Sequence, residues 1–168
     1  IQLTNIPDAL LLLRLHDIGF STQGVVLSYM LFSAVTVIAA YPAGLITDKL
    51  SPQIVYAIGL SAFAIAYFLL GISERHSVAI LAIAIYGIFP ALTDGVGKAW
   101  IAKISGTDIR GYAQGVYQAS MSFAILAAGI WGGLMWSKNA IQIPLVVAAT
   151  GAAIGGSVLA VMHLTRKS

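Results

Sequence analysis

The stretch Tyr41-Pro42-Ala43-Gly44-Leu45-Ile46-Thr47-Asp48-Lys49-Leu50-Ser51-Pro52 decides how this chain is read. It closes a charge-free run that begins at Gly24 and ends at Thr47, and a second apolar run opens at Ile54. Each run is long enough to cross a bilayer, which takes about 20 predominantly apolar residues in helical form. A polar connection this short predicts that the two segments are antiparallel neighbours. It also predicts that Asp48-Lys49 forms a turn at one membrane face.

Outward from that turn the same pattern repeats. Charge-free or nearly charge-free runs occupy about 24–47, 54–73, 78–102, 111–137 and 140–162, with residues 1–13 as a partial further span. Hydrocarbon offers the backbone no hydrogen-bonding partner, so runs of this length must satisfy their N–H and C=O groups internally as helices. The alternating segments of about ten residues that mark a transmembrane barrel do not occur. The expected fold is therefore an all-α membrane protein, a polytopic helical bundle of five full transmembrane helices plus one partial N-terminal helix. Because the chain opens on Ile1 inside an apolar stretch, with no basic segment before it, it is expected to start within a helix and not in a signal peptide.

Composition excludes the main alternatives. Of the 168 residues 59% are hydrophobic and 9% charged, with a mean hydropathy of +0.91. A soluble domain carries roughly 25% charged residues, so this inventory cannot build a water-facing surface. The net charge of +3 could suggest nucleic acid, but the nine Lys and Arg residues are scattered singly and form no basic stripe. No nucleic-acid partner is expected; the bilayer is. There is no cysteine, and His16, His76 and His163 fall in separate connections or ends, so no metal site and no cofactor is read from the sequence.

Orientation follows from the connections, which must alternate between the two faces. One set holds Lys49, Lys103, Arg110, Arg166 and Lys167, the other Arg14, Arg75 and Lys138. The excess in the first set places the Asp48-Lys49 turn and the C-terminus in the cytoplasm. Glycines four apart, at Gly111 and Gly115, Gly129 and Gly133, and Gly151 and Gly155, are expected where helix backbones approach closely. The runs 54–73 and 140–162 carry no charge, as peripheral, lipid-facing helices would.

Asp94 and Lys98 are the ionisable residues well inside a complete span. A charge near a helix centre costs about 2.5–3.5 kcal/mol even on insertion scales, so both are expected to face the bundle interior or a wet cavity. Their i, i+4 spacing with the acid first suits a helical ion pair. Phe89-Pro90, one turn earlier, removes a backbone donor and can kink the helix beside the acid. Asp94 tuned by Lys98 is read as a contact to substrate or the carrier of a coupling proton, against a structural pair with Lys98 snorkelling toward the headgroups. Asn5 and Asp8 in the partial span, and Tyr117 and Gln118 on the next-to-last run, are further candidates. Gln114 and Gln118 share a face, suited to substrate or to interhelical hydrogen bonds.

Gly44, Asp48 and Lys49 resemble the cytoplasmic loop motif of the major facilitator superfamily of secondary transporters, although Ser51-Pro52-Gln53 replace its glycine and basic residues. Ala91-Leu92-Thr93-Asp94-Gly95-Val96-Gly97-Lys98-Ala99, followed by Asp108-Ile109-Arg110-Gly111-Tyr112-Ala113-Gln114-Gly115, is similar to the tenth helix, its loop and the start of the eleventh in a bacterial branch of that family. Asp8 to Arg14 with Asp17-Ile18-Gly19 resembles the end of its seventh helix. The resemblance implies that residues 1–168 are the C-terminal six-helix half of a twelve-helix transporter, with the first helix truncated. It implies a multi-pass protein of the bacterial inner (plasma) membrane. It also implies a small-molecule solute bound between two halves, the N-terminal six-helix half being the missing partner. Asp48 is then expected to latch onto a helix N-terminus of that other half, with Gly44 and Lys49 in the motif and Asp108, Arg110 and Gly111 in the loop after the tenth helix.

Enzymatic readings fail on the residues. Gly95-Val96-Gly97-Lys98 is no phosphate loop, because Leu92 stands where its first glycine belongs and Ala99 where Ser or Thr belongs. Neither an H-E-x-x-H nor a G-x-S-x-G motif is present. The rival to a transporter is a non-transporting membrane module, such as an assembly or sensor protein, that uses the same fold.

Overall fold

A computed structural model describes residues 5–136 and 142–165. Among the described residues all regular structure is helical. The helices are α1 (Asp8–Asp17), α2 (Thr22–Lys49), α3 (Pro52–Ile72), α4 (His76–Ile104), α5 (Arg110–Met135) and α6 (Gln142–Thr165), with a 3₁₀ turn at Thr107–Ile109 before α5. Helices α2 to α6 are each long and apolar enough to cross a membrane. Lys138, Arg166 and Lys167, used above to assign orientation, lie outside the described residues.

Helix ends fall where local chemistry stops them, and this moves several boundaries. α1 runs on through Arg14, His16 and Asp17, which the sequence placed in a connection. It ends at Gly19, whose φ of 101° is readily adopted only by glycine. Phe20 N–H bonds to Leu15 C=O and Gly19 N–H to His16 C=O, the paired closure of a Schellman motif. The Ser21 hydroxyl then caps α2 by accepting from Gly24 N–H at 3.2 Å. At the other end α2 stays helical to Lys49, so Asp48 and Lys49 form its last turn and only Leu50 and Ser51 link it to α3. Pro52 opens α3 at a position that needs no backbone donor. Pro42 and Pro90 lie within α2 and α4, which remain continuous.

The packing order differs from the chain order. α2 and α3, joined by the shortest link, touch only sparingly; α4 lies between them and packs on both. The reason is steric fit at Gly87. A Cβ there would sit 2.8 Å from the Phe32 carbonyl oxygen and 2.9 Å from Val35 Cβ, so only a bare α-carbon lets α2 approach α4 this closely. The Thr36 hydroxyl reinforces the contact by donating to Gly87 C=O at 3.0 Å. Gly59 plays the same part between α3 and α4, where an added Cβ would meet Thr93 Cγ2 at 2.7 Å.

Of the glycines picked out by four-residue spacing, Gly129 does abut a neighbour, the ring of Pro7, but Gly111, Gly115 and Gly133 face open space. Spacing marks glycines that share a face, not the face that a neighbour covers.

The core is aromatic and lies on α3 and α4. Phe63 stacks on Tyr67 with centroids 4.0 Å apart, Tyr86 stacks on Phe32 at 5.1 Å, and Phe89 meets Phe63 edge-on at 5.0 Å. Leu11 and Leu15 of α1 close it on one side and Leu145, Ala148 and Ala152 of α6 on another. Helix α3 is thus deeply packed, between α4 and α6. The expectation of a peripheral α3 holds only for the stripe of Ile58, Ile65, Phe68 and Ile72, which stays exposed. By contrast α2 and α5 bury few of their residues and present long apolar faces, including Val37, Ile38 and Tyr41 on α2 and Phe123, Leu126 and Ile130 on α5.

Candidate functional site

Helices α2 and α4, held together at Gly87, leave a groove of about 460 Å³ along their C-terminal halves. Its walls are mostly small: Ala40, Ala43 and Gly44 from α2, and Ala91, Gly95 and Ala99 from α4. Two carboxylates line it, Asp48 in the last turn of α2 and Asp94 one turn beyond Pro90. The hydroxyls of Thr36 and Thr47 also line the groove, but they already donate to backbone carbonyls, Thr36 to Phe32 and Gly87 and Thr47 to Ala43. The charged groups of the groove are therefore hydrogen-bond acceptors. A group that docks there must bring donors or positive charge.

Both acids are exposed on this chain. Among the described residues neither makes an ion pair within 4.0 Å, so the expected Asp94–Lys98 pair is not formed. Lys98 is exposed as well, and its carbonyl accepts from Gln114 Nε2 at 2.6 Å. Asp48 sits where the helix macrodipole works against it, since the C-terminal turn carries partial negative charge. Lys49, also exposed, is the residue that this helix end favours.

A second polar centre lies at the start of α1. The Tyr86 hydroxyl donates to Asp8 Oδ1 at 2.6 Å, and the Tyr67 hydroxyl donates to Ile6 C=O at 2.9 Å. Tyrosines buried in an apolar core need a partner for their hydroxyls, and here both partners belong to the segment entering α1. Asn5 precedes that pinned segment and is half-buried. Tyr117 lays its ring and hydroxyl over Gly97 of α4, beside Tyr56 of α3. Gln118 is exposed on α5. Gln114, bonded to Lys98 C=O, is an interhelical contact between α5 and α4. Asp108 lies exposed in the 3₁₀ turn, where it accepts from the Thr107 hydroxyl at 3.3 Å, and Arg110 and Gly111 open α5 exposed. The structure thus gathers Gly44, Asp48 and Asp94 in one groove and places Asp8 apart from it, against Tyr86.

Arg14 was not singled out by the sequence. It is 4% exposed, and its Nε donates to Leu70 C=O at 3.0 Å and its Nη2 to Ser73 C=O at 3.4 Å. A cation on the last carbonyls of α3 satisfies both the hydrogen bonds and the dipole of that helix end. The sequence signals that could have found these residues are a tyrosine in mid-span and an arginine one turn before a helix-ending glycine.

These features define a polytopic, all-helical membrane protein with an acidic groove on a face that its own helices leave open. Residues 4–168 match the model of the Major Facilitator Superfamily, and the chain belongs to that family. It is 31% identical over 113 residues to an uncharacterised MFS-type transporter of Methanocaldococcus jannaschii. That alignment takes in 64% of this chain and 27% of the relative.

Proposed function

We propose that this chain forms the C-terminal six-helix half of a secondary active transporter that moves a small solute by alternating access. The observation that carries the reading is the α2–α4 groove with Asp48 and Asp94, open on a family-typed chain whose α2 and α5 leave apolar faces uncovered. In such proteins two bundles rock about a site between them, near the bilayer midplane. An N-terminal bundle is the natural cover for the exposed faces of α2 and α5. Asp48, placed against its own helix dipole, gains more from the N-terminal end of a helix in that bundle than from any group of its own chain. Asp94 is the carboxylate that takes up or releases a coupling proton as the groove opens and closes. With the Leu50-Ser51 link and the C-terminus on the cytoplasmic face of the bacterial inner membrane, Asp48 belongs to the cytoplasmic gate.

The test uses the full-length protein in proteoliposomes, screened with a panel of labelled solutes and an imposed proton gradient. Asp94→Asn should abolish gradient-driven accumulation and spare solute exchange at equal pH. Gradient-driven uptake that survives in this variant removes the proton role, and a protein that moves no solute under either condition removes the transport reading.

A further inference from the structure

Helices α3 and α6 lie side by side, but they do not meet evenly along their length. At the Ile72 end of α3 their side chains interlock, since a Cβ on Gly71 would stand 3.1 Å from Val146 Cγ2. From mid-span toward the Pro52 end, small residues leave a groove of about 510 Å³ between them on the outer surface. Along α3 the groove runs from Ile54 to Ile65, which at 1.5 Å per residue is roughly 16 Å.

Its lining is small and apolar, with Ala57 and Ala64 from α3 and Ala153 and Ala160 from α6. Ser61 and Ser157 also line it, but their hydroxyls donate to the carbonyls of Ala57 and Ala153 on their own helices. The groove therefore has no free donor among its lining side chains.

Its open end is different. One turn beyond Ile54 and Ala160 lie Ser51 and His163, whose Oγ and Nδ1 are 3.1 Å apart. Among the described residues the other ring nitrogen, Nε2, has no partner, and His163 is half-buried. Lys49 stands two residues before Ser51, is exposed and makes no ion pair among the described residues. Arg166 and Lys167 follow directly on α6 in the sequence. Of the acids nearest this end, Asp48 lines the α2–α4 groove and Asp108 sits in the turn before α5.

The length of the groove and its two chemistries select the occupant. A spanning helix of a second copy needs a partner surface along the whole hydrocarbon core of about 30 Å, and this groove stops at mid-span. A polar solute finds no donor in it. An acyl chain needs none, and a groove of roughly 16 Å matches the depth of one leaflet, half of that core. A phosphate at the open end meets the Lys49 ammonium and the free ring nitrogen of His163. Basic groups beside a gap between spanning helices attract anionic headgroups in this way.

We propose that the α3–α6 groove holds one acyl chain of an anionic phospholipid, in the leaflet on the side of the α2–α3 link, with its phosphate held by Lys49 and His163. Such a lipid spans the junction between that link and α6. This goes beyond the transport reading and does not depend on it.

The experiment uses the full-length protein in phosphatidylcholine nanodiscs with a trace of a lipid that carries a photoactivatable group in its acyl chain. The probe is phosphatidylglycerol or phosphatidylcholine with identical chains, and labelled peptides are mapped by mass spectrometry. Residues 54–65 and 153–160 should be labelled about fivefold more strongly by the anionic probe, the effect expected of one lysine near the membrane surface. Labelling summed over the rest of the protein should differ little between probes. Lys49→Gln, at an exposed position, should lower the ratio severalfold, and adding His163→Gln should lower it further. Ser157→Leu fills the groove from an exposed position and should cut labelling of these residues by both probes. Equal labelling by the two probes in the wild type marks ordinary boundary lipid and overturns the inference. So does a ratio unchanged in Lys49→Gln, or labelling undiminished in Ser157→Leu. Absence of labelling by either probe means that a protein partner covers the groove, and overturns it as well.

Discussion

The Ser51 hydroxyl lies 3.1 Å from Nδ1 of His163, which ties the link between α2 and α3 to the last turns of α6. On the opposite face Phe20, in the α1–α2 connection, stacks on His76 at the start of α4 with centroids 4.4 Å apart. These two contacts give the bundle its two ends. The native chain has no cysteine, so a designed pair can report on them cleanly. Ser51→Cys combined with His163→Cys should form a disulfide under mild oxidation, detected by mass spectrometry of the digest. Phe20→Cys combined with His163→Cys should not. Cross-linking of the second pair and not the first would refute the arrangement of the ends.

Gly87 sets the distance between α2 and α4. Gly87→Val should force the helices apart and destabilise the protein by about 1–3 kcal/mol, the usual range for overpacking. Thr36→Val, which removes the bond to Gly87 C=O, should cost only about 0.6 kcal/mol, typical of interhelical hydrogen bonds in membranes. Reversible unfolding in mixed detergent micelles measures both. A Gly87→Val protein as stable as the wild type would show that the contact is not close.

Arg14 holds α1 to the end of α3 through the carbonyls of Leu70 and Ser73. Arg14→Met keeps much of the packing and loses both charged hydrogen bonds, so about 1.5–3 kcal/mol of stability should go with them. Arg14→Lys should recover part of that loss, because a single ammonium cannot span the two carbonyls as the planar guanidinium does. Equal stability of the Met and Lys variants would place the role of Arg14 in its length alone.

Asp48 is exposed in the last turn of α2, and its proposed partner lies in the other bundle. Asp48→Asn in the full-length protein should slow transport severalfold while membrane insertion and expression stay unchanged. Because the helix dipole opposes a carboxylate at this end, the same change should leave thermal stability equal or slightly higher. Unchanged transport rates would argue against the latch.

Much of this molecule could be read from residues in order. The five long apolar runs became five helices. Asp48 and Asp94 were visible as charges in or beside spans, and Gly44 as part of a motif. Their shared groove was not, because it depends on α2 lying against α4. The short link suggested α3 as the neighbour of α2, but a link constrains only the ends it joins. Asp8 was visible as a candidate, and its partner Tyr86 was not, since nothing in sequence pairs the first residue of α1 with the middle of α4.

The sequence by itself determined that the backbone is helical and, to within a few residues, where its long apolar helices lie. Those outcomes follow from local hydrogen bonding in a medium that offers none of its own. Tertiary structure alone decided which helix lies against which, that Arg14 is buried at a helix end, and that Asp48 and Asp94 make no ion pair within 4.0 Å among the described residues. In helices that are apolar on nearly every side, polarity gives no direction to the packing. Shape decides it, through a bare α-carbon at Gly87 or Gly59, and shape is read only when the surfaces meet.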